Sequence, residues 1–207
     1  MKIVEPGYQI VYLEPEKDIQ CIERAARLCY KSESAIQEGS AEKIIKLLID
    51  KGHEAMLEHS RMTVIFRVDR GVSHEMVRHR IASFAQESTR YCNYSKDKFG
   101  NEITVVRPSY LAGDNSSAAF NSWSRSMVEA ENRYFELLKQ GHTPQEARSV
   151  LPNSLKTEIM VTANYREWRN IFKLRTAPDA HPDIRGVMKA LLEYVKVRVP
   201  VVFDDIP

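Results

Sequence analysis

Glycine is scarce, with 8 in 207 residues. No GxxxxGK[ST] loop occurs, and no GxGxxG run opens a helix. The usual backbone cradles for phosphate are therefore missing, and any phosphate must be held by side chains. Cysteine is scarcer: Cys21, Cys29 and Cys92 form an odd set at no metal-ligand spacing. Cys21 and Cys29 fall within one expected helix and read as core residues, which points to a reducing, cytoplasmic setting. No apolar run approaches the length of a membrane span. The N-terminal stretch MKIVEPGYQIVYLEPEKD lacks the basic, apolar and small-residue order of a signal peptide. Charge of one sign is also missing: 30 Lys and Arg against 28 Asp and Glu leave a net +2. That excludes a globally basic nucleic-acid coat but leaves room for a local basic patch.

What is present suits a packed enzyme-sized domain. Hydrophobic residues make up 43% and aromatics 9% of the chain, enough for a real core. Residues 8–13 read as a strand. Asp18 is expected to cap a helix reaching Ser32, with Ile19, Ile22, Ala26 and Cys29 on one face. Ser40 is expected to cap a second helix that Gly52 ends. After a connector at 53–60, residues 61–68 read as a strand. Residues 71–80 read as a helix, 82–100 as a loop and 103–108 as a short strand. A long amphipathic helix is expected over 117–140, closed by Gly141. Thr143-Pro144-Gln145-Glu146 is a capping box for a helix ending before Pro152. A strand at 155–164, a helix after Asn164 and a final helix after Pro182 complete the pattern. Helices dominate, and the strands are not in βαβ rhythm, so the class is α+β. No repeat or interdomain linker is visible, which favours one domain over 1–207.

One stretch gathers cations and rings: RHRIASFAQESTRYCNY, residues 78–94, with Glu87 its one acid. Arg offers a planar, permanently charged fork that suits phosphate or carboxylate oxygens. On a helix Arg78 and Arg80 diverge by about 200°, so each would serve a different group. Arg90 lies beyond the loop and can return toward Arg78, while Ser88 and loop amides can complete an anion nest. Phe84 and Tyr91 read either as stacking rings or as core and loop anchors. A basic helix end explains any single arginine here, but explains the whole array poorly.

Other clusters carry weaker signals. His53-Glu54 and Glu58-His59 look like a scrambled zinc motif, but the spacing is six where a zincin helix needs four. His74 and His79 fall about 140° apart on a helix, which is poor for a shared metal, so no metal is expected. Glu75 precedes Arg78 and His79 at salt-bridge spacing. Cys92 has Arg90 nearby but no histidine placed as its base, so it reads as a packing residue. In NYREWRNIFKLR, Trp168, Ile171, Phe172 and Arg175 share a helical face, with two arginines expected on the surface. Asn170 has the donors and acceptor that suit the polar edge of a heterocycle. The residues alone thus reach an enzyme that binds anions and heterocycles.

Arg78-His79-Arg80, Ser83, Ser88 and Arg90 resemble the RHRxxSxxxxSxR signature of the flavin-dependent thymidylate synthases, the ThyX family. HEAMLEH (53–59), EARSVLPNSL (146–155) and TANYREWRNIFKLR (162–175) resemble three further segments of that family, in family order. The resemblance implies a helix-rich single domain around a small, mostly antiparallel sheet. It implies reductive methylation of dUMP to dTMP, with methylenetetrahydrofolate as one-carbon donor and FAD, reduced by NADPH, as hydride source. It implies a cytoplasmic homotetramer with sites shared between subunits, and neither a nucleic acid nor a membrane as partner. Arg78, His79, Arg80, Gln86, Asn164, Arg166 and Asn170 would then contact FAD. Glu75, Arg78, Gln86, Ser88, Arg90, Arg148 and Arg175 would hold dUMP. Arg175 would be the catalytic cation at the uracil carbonyl edge, and Ser88 reads as a ligand rather than a nucleophile. The chain departs from the family pattern at Ala55, where many relatives have Thr or Ser. It departs again at Glu75, where many have Gln, and at Ala85-Gln86, where many have Asn-Glu.

Two other readings remain open at this level. The 78–94 stretch could grip and stack a single-stranded nucleic acid, although net charge and motifs argue against it. His53, Glu58 and His59 could form a metal-dependent hydrolase site.

Overall fold

A computed structural model describes residues 1–113 and 115–207. Six strands and eight α-helices are found among them: β1 Lys2–Val4, β2 Gly7–Tyr12, α1 Pro15–Tyr30, α2 Ser40–Asp50, β3 Met62–Asp69, α3 Arg70–Met76, β4 Ala82–Gln86, β5 Thr104–Val106, α4 Ala118–Lys139, α5 Pro144–Ala147, β6 Lys156–Ala163, α6 Tyr165–Arg175, α7 Pro182–Arg198 and α8 Pro200–Phe203. The class is the expected α+β. A small antiparallel sheet has the order β2-β3-β6-β4, and β1 pairs separately with β5 in parallel, Ile3 opposite Val105.

The chain forms two compact units. The first comprises Met1–Gly7, Phe66–Arg78 and Ala85–Ile159. Its core gathers Ile103, Val105, Met127, Tyr134 and Leu155, with α4 supplying Met127 and Tyr134. Ser117 caps α4, its hydroxyl accepting from Phe120 N at 3.1 Å. The capping box forms as read: Glu146 accepts from Thr143 N at 2.8 Å. Asp69 caps α3 by accepting from Val72 N at 2.7 Å, a cap the sequence reading did not use.

The second unit comprises Tyr8–Ile65, His79–Phe84 and Met160–Pro207. Here α1 packs on α2, and α6 packs on α7. Tyr165, Trp168 and Phe172 bury one face of α6, and Phe203 meets Tyr165 edge-on at 5.4 Å between ring centroids. The indole of Trp168 donates to the Met62 carbonyl at 3.0 Å.

Several local expectations give way to tertiary context. Pro15 starts α1 a turn before Asp18, because its fixed φ and missing N–H suit a first helical position. Asp18 is instead buried and accepts from the Tyr165 hydroxyl at 2.6 Å. The buried stripe of α1 is Asp18, Ile22, Glu23 and Ala26, which leaves Cys21 and Cys29 exposed rather than in the core. Gly39 occupies the N-cap of α2 at φ 71°, a left-handed turn that glycine adopts without steric cost. Ser40 is therefore the first helical residue, and its hydroxyl donates to Glu23 at 2.7 Å. Gly52 does close α2, at φ 69°. The 53–60 connector is a short 3-10 helix, Glu54–His59. Helix α3 stops at Met76 rather than at 80, so the helical divergence expected of Arg78 and Arg80 does not apply. Part of the expected 82–100 loop is β4, a strand set by its place beside β6 rather than by propensity.

Candidate active site

In the second unit, α6 organises the site. Asn164 caps it as read, its side-chain oxygen accepting from Glu167 N at 2.8 Å. Fixing that first turn places Arg166, Glu167, Asn170 and Lys173 on a cavity of about 380 Å³. Glu54 and Glu58 of the 3-10 helix, with Ile81, complete much of the lining. Arg166 is exposed and forms an ion pair with Glu58 at 2.6 Å. Asn170 donates to Glu167 at 3.3 Å.

His79 lies buried within the same unit, 6% exposed. Its Nδ1 is 3.1 Å from Glu167 Oε1, and its Nε2 is 3.1 Å from Arg175 Nε. Arg175 has only hydrogens to give, so Nε2 must accept and the Nδ1 proton must point at Glu167. The ring is therefore neutral and in one tautomer. Burial lowers the His79 pKa from its ordinary value, and the Arg175 charge lowers it further, outweighing the upward pull of Glu167. His79, Asn164, Arg166, Asn170 and Arg175 are thus gathered around one helix, while Arg80 is exposed just beyond His79.

The first unit holds the remaining sequence-derived residues. Arg90 Nε donates to Gln145 at 2.8 Å, and Arg148 donates to Thr89 at 3.2 Å. Arg148, Gln145 and Thr89 line a second cavity, about 550 Å³, together with Arg70 and His74. Leu151, Pro152 and Leu155 give it an apolar side. Ser88 Oγ accepts from Arg90 N at 3.3 Å and so shapes the turn that carries Arg90. Gln86 donates to Ser73 at 2.9 Å and to Thr157 at 3.2 Å. Glu75 is half-buried on α3, and Arg78 is exposed. The Cys92 thiol is pushed up by burial and by the nearby Glu87 carboxylate, which disfavours a thiolate.

Sequence reasoning missed Arg70, Glu167 and Arg169. Arg70 stands where β3 hands over to α3, eight residues ahead of the basic 78–94 stretch. Glu167 looked like one more charge in a helix. Arg169, expected on the surface, is 1% exposed and pairs with Asp205 at 2.6 Å. Among the described residues, no group of three or more His, Cys, Asp or Glu could hold a metal ion. No helix among them is long and apolar enough to cross a membrane.

Comparison with known proteins decides the family. The family model described as thymidylate synthase complementing protein matches residues 11–201. The chain belongs to this family. Among the family's curated members, the flavin-dependent thymidylate synthase of Geobacter sulfurreducens is 36% identical over 188 residues, covering 87% of this chain and 78% of the relative. That of Pyrococcus furiosus is 33% identical over 198 residues, covering 92% of this chain and 78% of the relative. The fold is shared with a UMP/dUMP methylase, PolB from Streptomyces cacaoi, crystallised with 5-Br dUMP. That match has a TM-score of 0.80 at 24% identity and covers 99% of this chain and 96% of the other.

Proposed function

We propose that this chain is a flavin-dependent thymidylate synthase that methylates dUMP at uracil C5 to give dTMP. Methylenetetrahydrofolate is the one-carbon donor, and NADPH is the reductant. The observation that carries the reading is the family match over 11–201, with curated members of that activity at 30–36% identity. The match runs continuously through segments of both units, which supports one catalytic domain over 1–207.

The residues around α6 fit part of an FAD. Arg166 and Lys173 bring cations that can turn from Glu58 and Glu54 to a diphosphate, the Asn170 amide suits a heterocycle edge, and the two glutamates then accept from hydroxyls. A cavity of about 380 Å³ lies toward the small end of ligand pockets, so it takes part of a dinucleotide. The same reading takes the protein as a cytoplasmic homotetramer whose sites are shared between subunits, so that the rest of the dinucleotide lies against other residues. Arg78, His79, Arg80, Gln86, Asn164, Arg166 and Asn170 form the flavin set. When bound and reduced, FAD supplies the hydride, while the protein supplies orientation and electrostatics.

Glu75, Arg78, Gln86, Ser88, Arg90, Arg148 and Arg175 form the dUMP set. Arg90 and Arg148 are the cations for its phosphate, and the second cavity gives the nucleotide an apolar wall. Arg175 sits at the uracil carbonyl edge. There a fixed cation stabilises the negative charge that develops as C5 becomes nucleophilic, and favours loss of the N3 proton. No thiolate attack is needed, in keeping with the raised pKa of Cys92.

The visible spectrum tests the cofactor half of this reading. Protein incubated with FAD and freed of excess should keep a flavin absorption band, weakened in Arg166→Ala. A protein that retains no FAD at all overturns the flavin assignment.

A further inference from the structure

Glu167 occupies the third position of α6, where a glutamate ordinarily folds back to the cap residue's own N–H. In α5 that box is complete, with Glu146 bonded to Thr143 N. In α6 the cap is made by Asn164, and the Glu167 side chain goes to the imidazole of His79, 88 positions away in sequence. A carboxylate only 8% exposed is costly unless it is paired, so this placement calls for a reason. The pairing continues to Arg175, whose Nε donates to the far side of the same ring.

From this geometry we infer that Glu167 is a positioning residue: it acts through His79 to fix the plane of the Arg175 guanidinium. Nε is the nitrogen on the side-chain stem. A bond there stops rotation about the last stem bond and sets where the planar fork faces. The bond requires a lone pair on His79 Nε2. Only the Nδ1–H tautomer offers one, and Glu167 holds that tautomer by accepting the Nδ1 proton. Without the carboxylate, the ring is free to move its proton to Nε2, where it would confront the Arg175 donor. The inference rests on the proposed function for what Arg175 does. The coupling itself rests on the two contacts alone.

The test uses the full chain with FAD, comparing wild type, Glu167→Ala and Glu167→Gln. Glutamine's amide oxygen can still accept from Nδ1, so it is the conservative rescue. Nitrogen-15 NMR of the His79 ring should show the Nδ1–H tautomer in wild type and Glu167→Gln, and a mixture in Glu167→Ala. Turnover of dUMP in Glu167→Ala should fall by about 10- to 100-fold in kcat, since a small misplacement of a catalytic group is that costly. Its KM should change little, and Glu167→Gln should recover most of the loss. Circular dichroism of each variant shows whether it is folded. An Nε2–H tautomer in folded wild type, or wild-type kcat in folded Glu167→Ala, overturns the inference. Wild type that makes no dTMP yet shows the Nδ1–H tautomer overturns the functional reading, and the role in catalysis with it, but not the coupling.

Discussion

Arg175→Ala should lower dTMP formation by about 10²- to 10³-fold, with the fold intact. The loss belongs mainly to the chemical step, because the charge that Arg175 stabilises develops as the uracil is activated and C5 becomes nucleophilic. It should therefore appear in kcat more than in KM. The fold should survive because Arg175 is the last residue of α6, half-buried, while Trp168, Ile171 and Phe172 carry the packing. Arg175→Lys should rescue poorly, since an ammonium has neither the planar fork nor a stem nitrogen to meet His79. Steady-state rates with saturating methylenetetrahydrofolate, NADPH and FAD check this. Normal turnover in Arg175→Ala removes its assigned role.

Arg169→Ala should cost about 3 kcal/mol of stability, a large loss for one polar side chain. Arg169 is almost wholly buried and grips Asp205 with both ends of its fork, at 2.6 and 2.7 Å. It also reaches Glu54 at 3.1 Å and the Val202 carbonyl. These contacts tie α6 to the short helix that carries Glu54, to α8 and to Asp205 just beyond it. Alanine removes the stem from the core and strands the Val202 carbonyl. The cost stays at the low end for a broken buried pair, because Asp205 is 48% exposed and can relax into water. For a chain of this length, a loss of that size lowers Tm by about 10 °C. The contact with Arg169 also holds the Asp205 carboxyl below its ordinary value of 3.8. That contribution is complete above the ordinary value and is lost as pH falls through the lower folded-state value. Thermal scans should therefore show a gap between wild type and variant that persists at neutral pH and narrows in strong acid. A variant that melts with wild type at pH 7 contradicts the assignment.

Features set by neighbours in sequence were legible from the sequence. The Thr143–Glu146 box, the Asn164 cap and the Gly52 stop each depend on a few adjacent residues, and each formed as read. Features set by distant partners were not. Asp18 looked like a cap until Tyr165 claimed it, and Ser40 looked like one until Glu23 accepted its hydroxyl. Within the site, the arginines and amides announced themselves by chemistry and by family resemblance. Glu167 did not, because its meaning lies in His79, and no local rule connects the two. Arg169 was misjudged for the same reason: Asp205 is 36 positions away.

The most direct measurement of the central claim is dTMP production by the purified protein from dUMP, methylenetetrahydrofolate and NADPH, with and without FAD. The account predicts dTMP in the complete mixture and none when protein-bound and added FAD are both removed. No dTMP from the complete mixture, or equal dTMP without FAD, contradicts it.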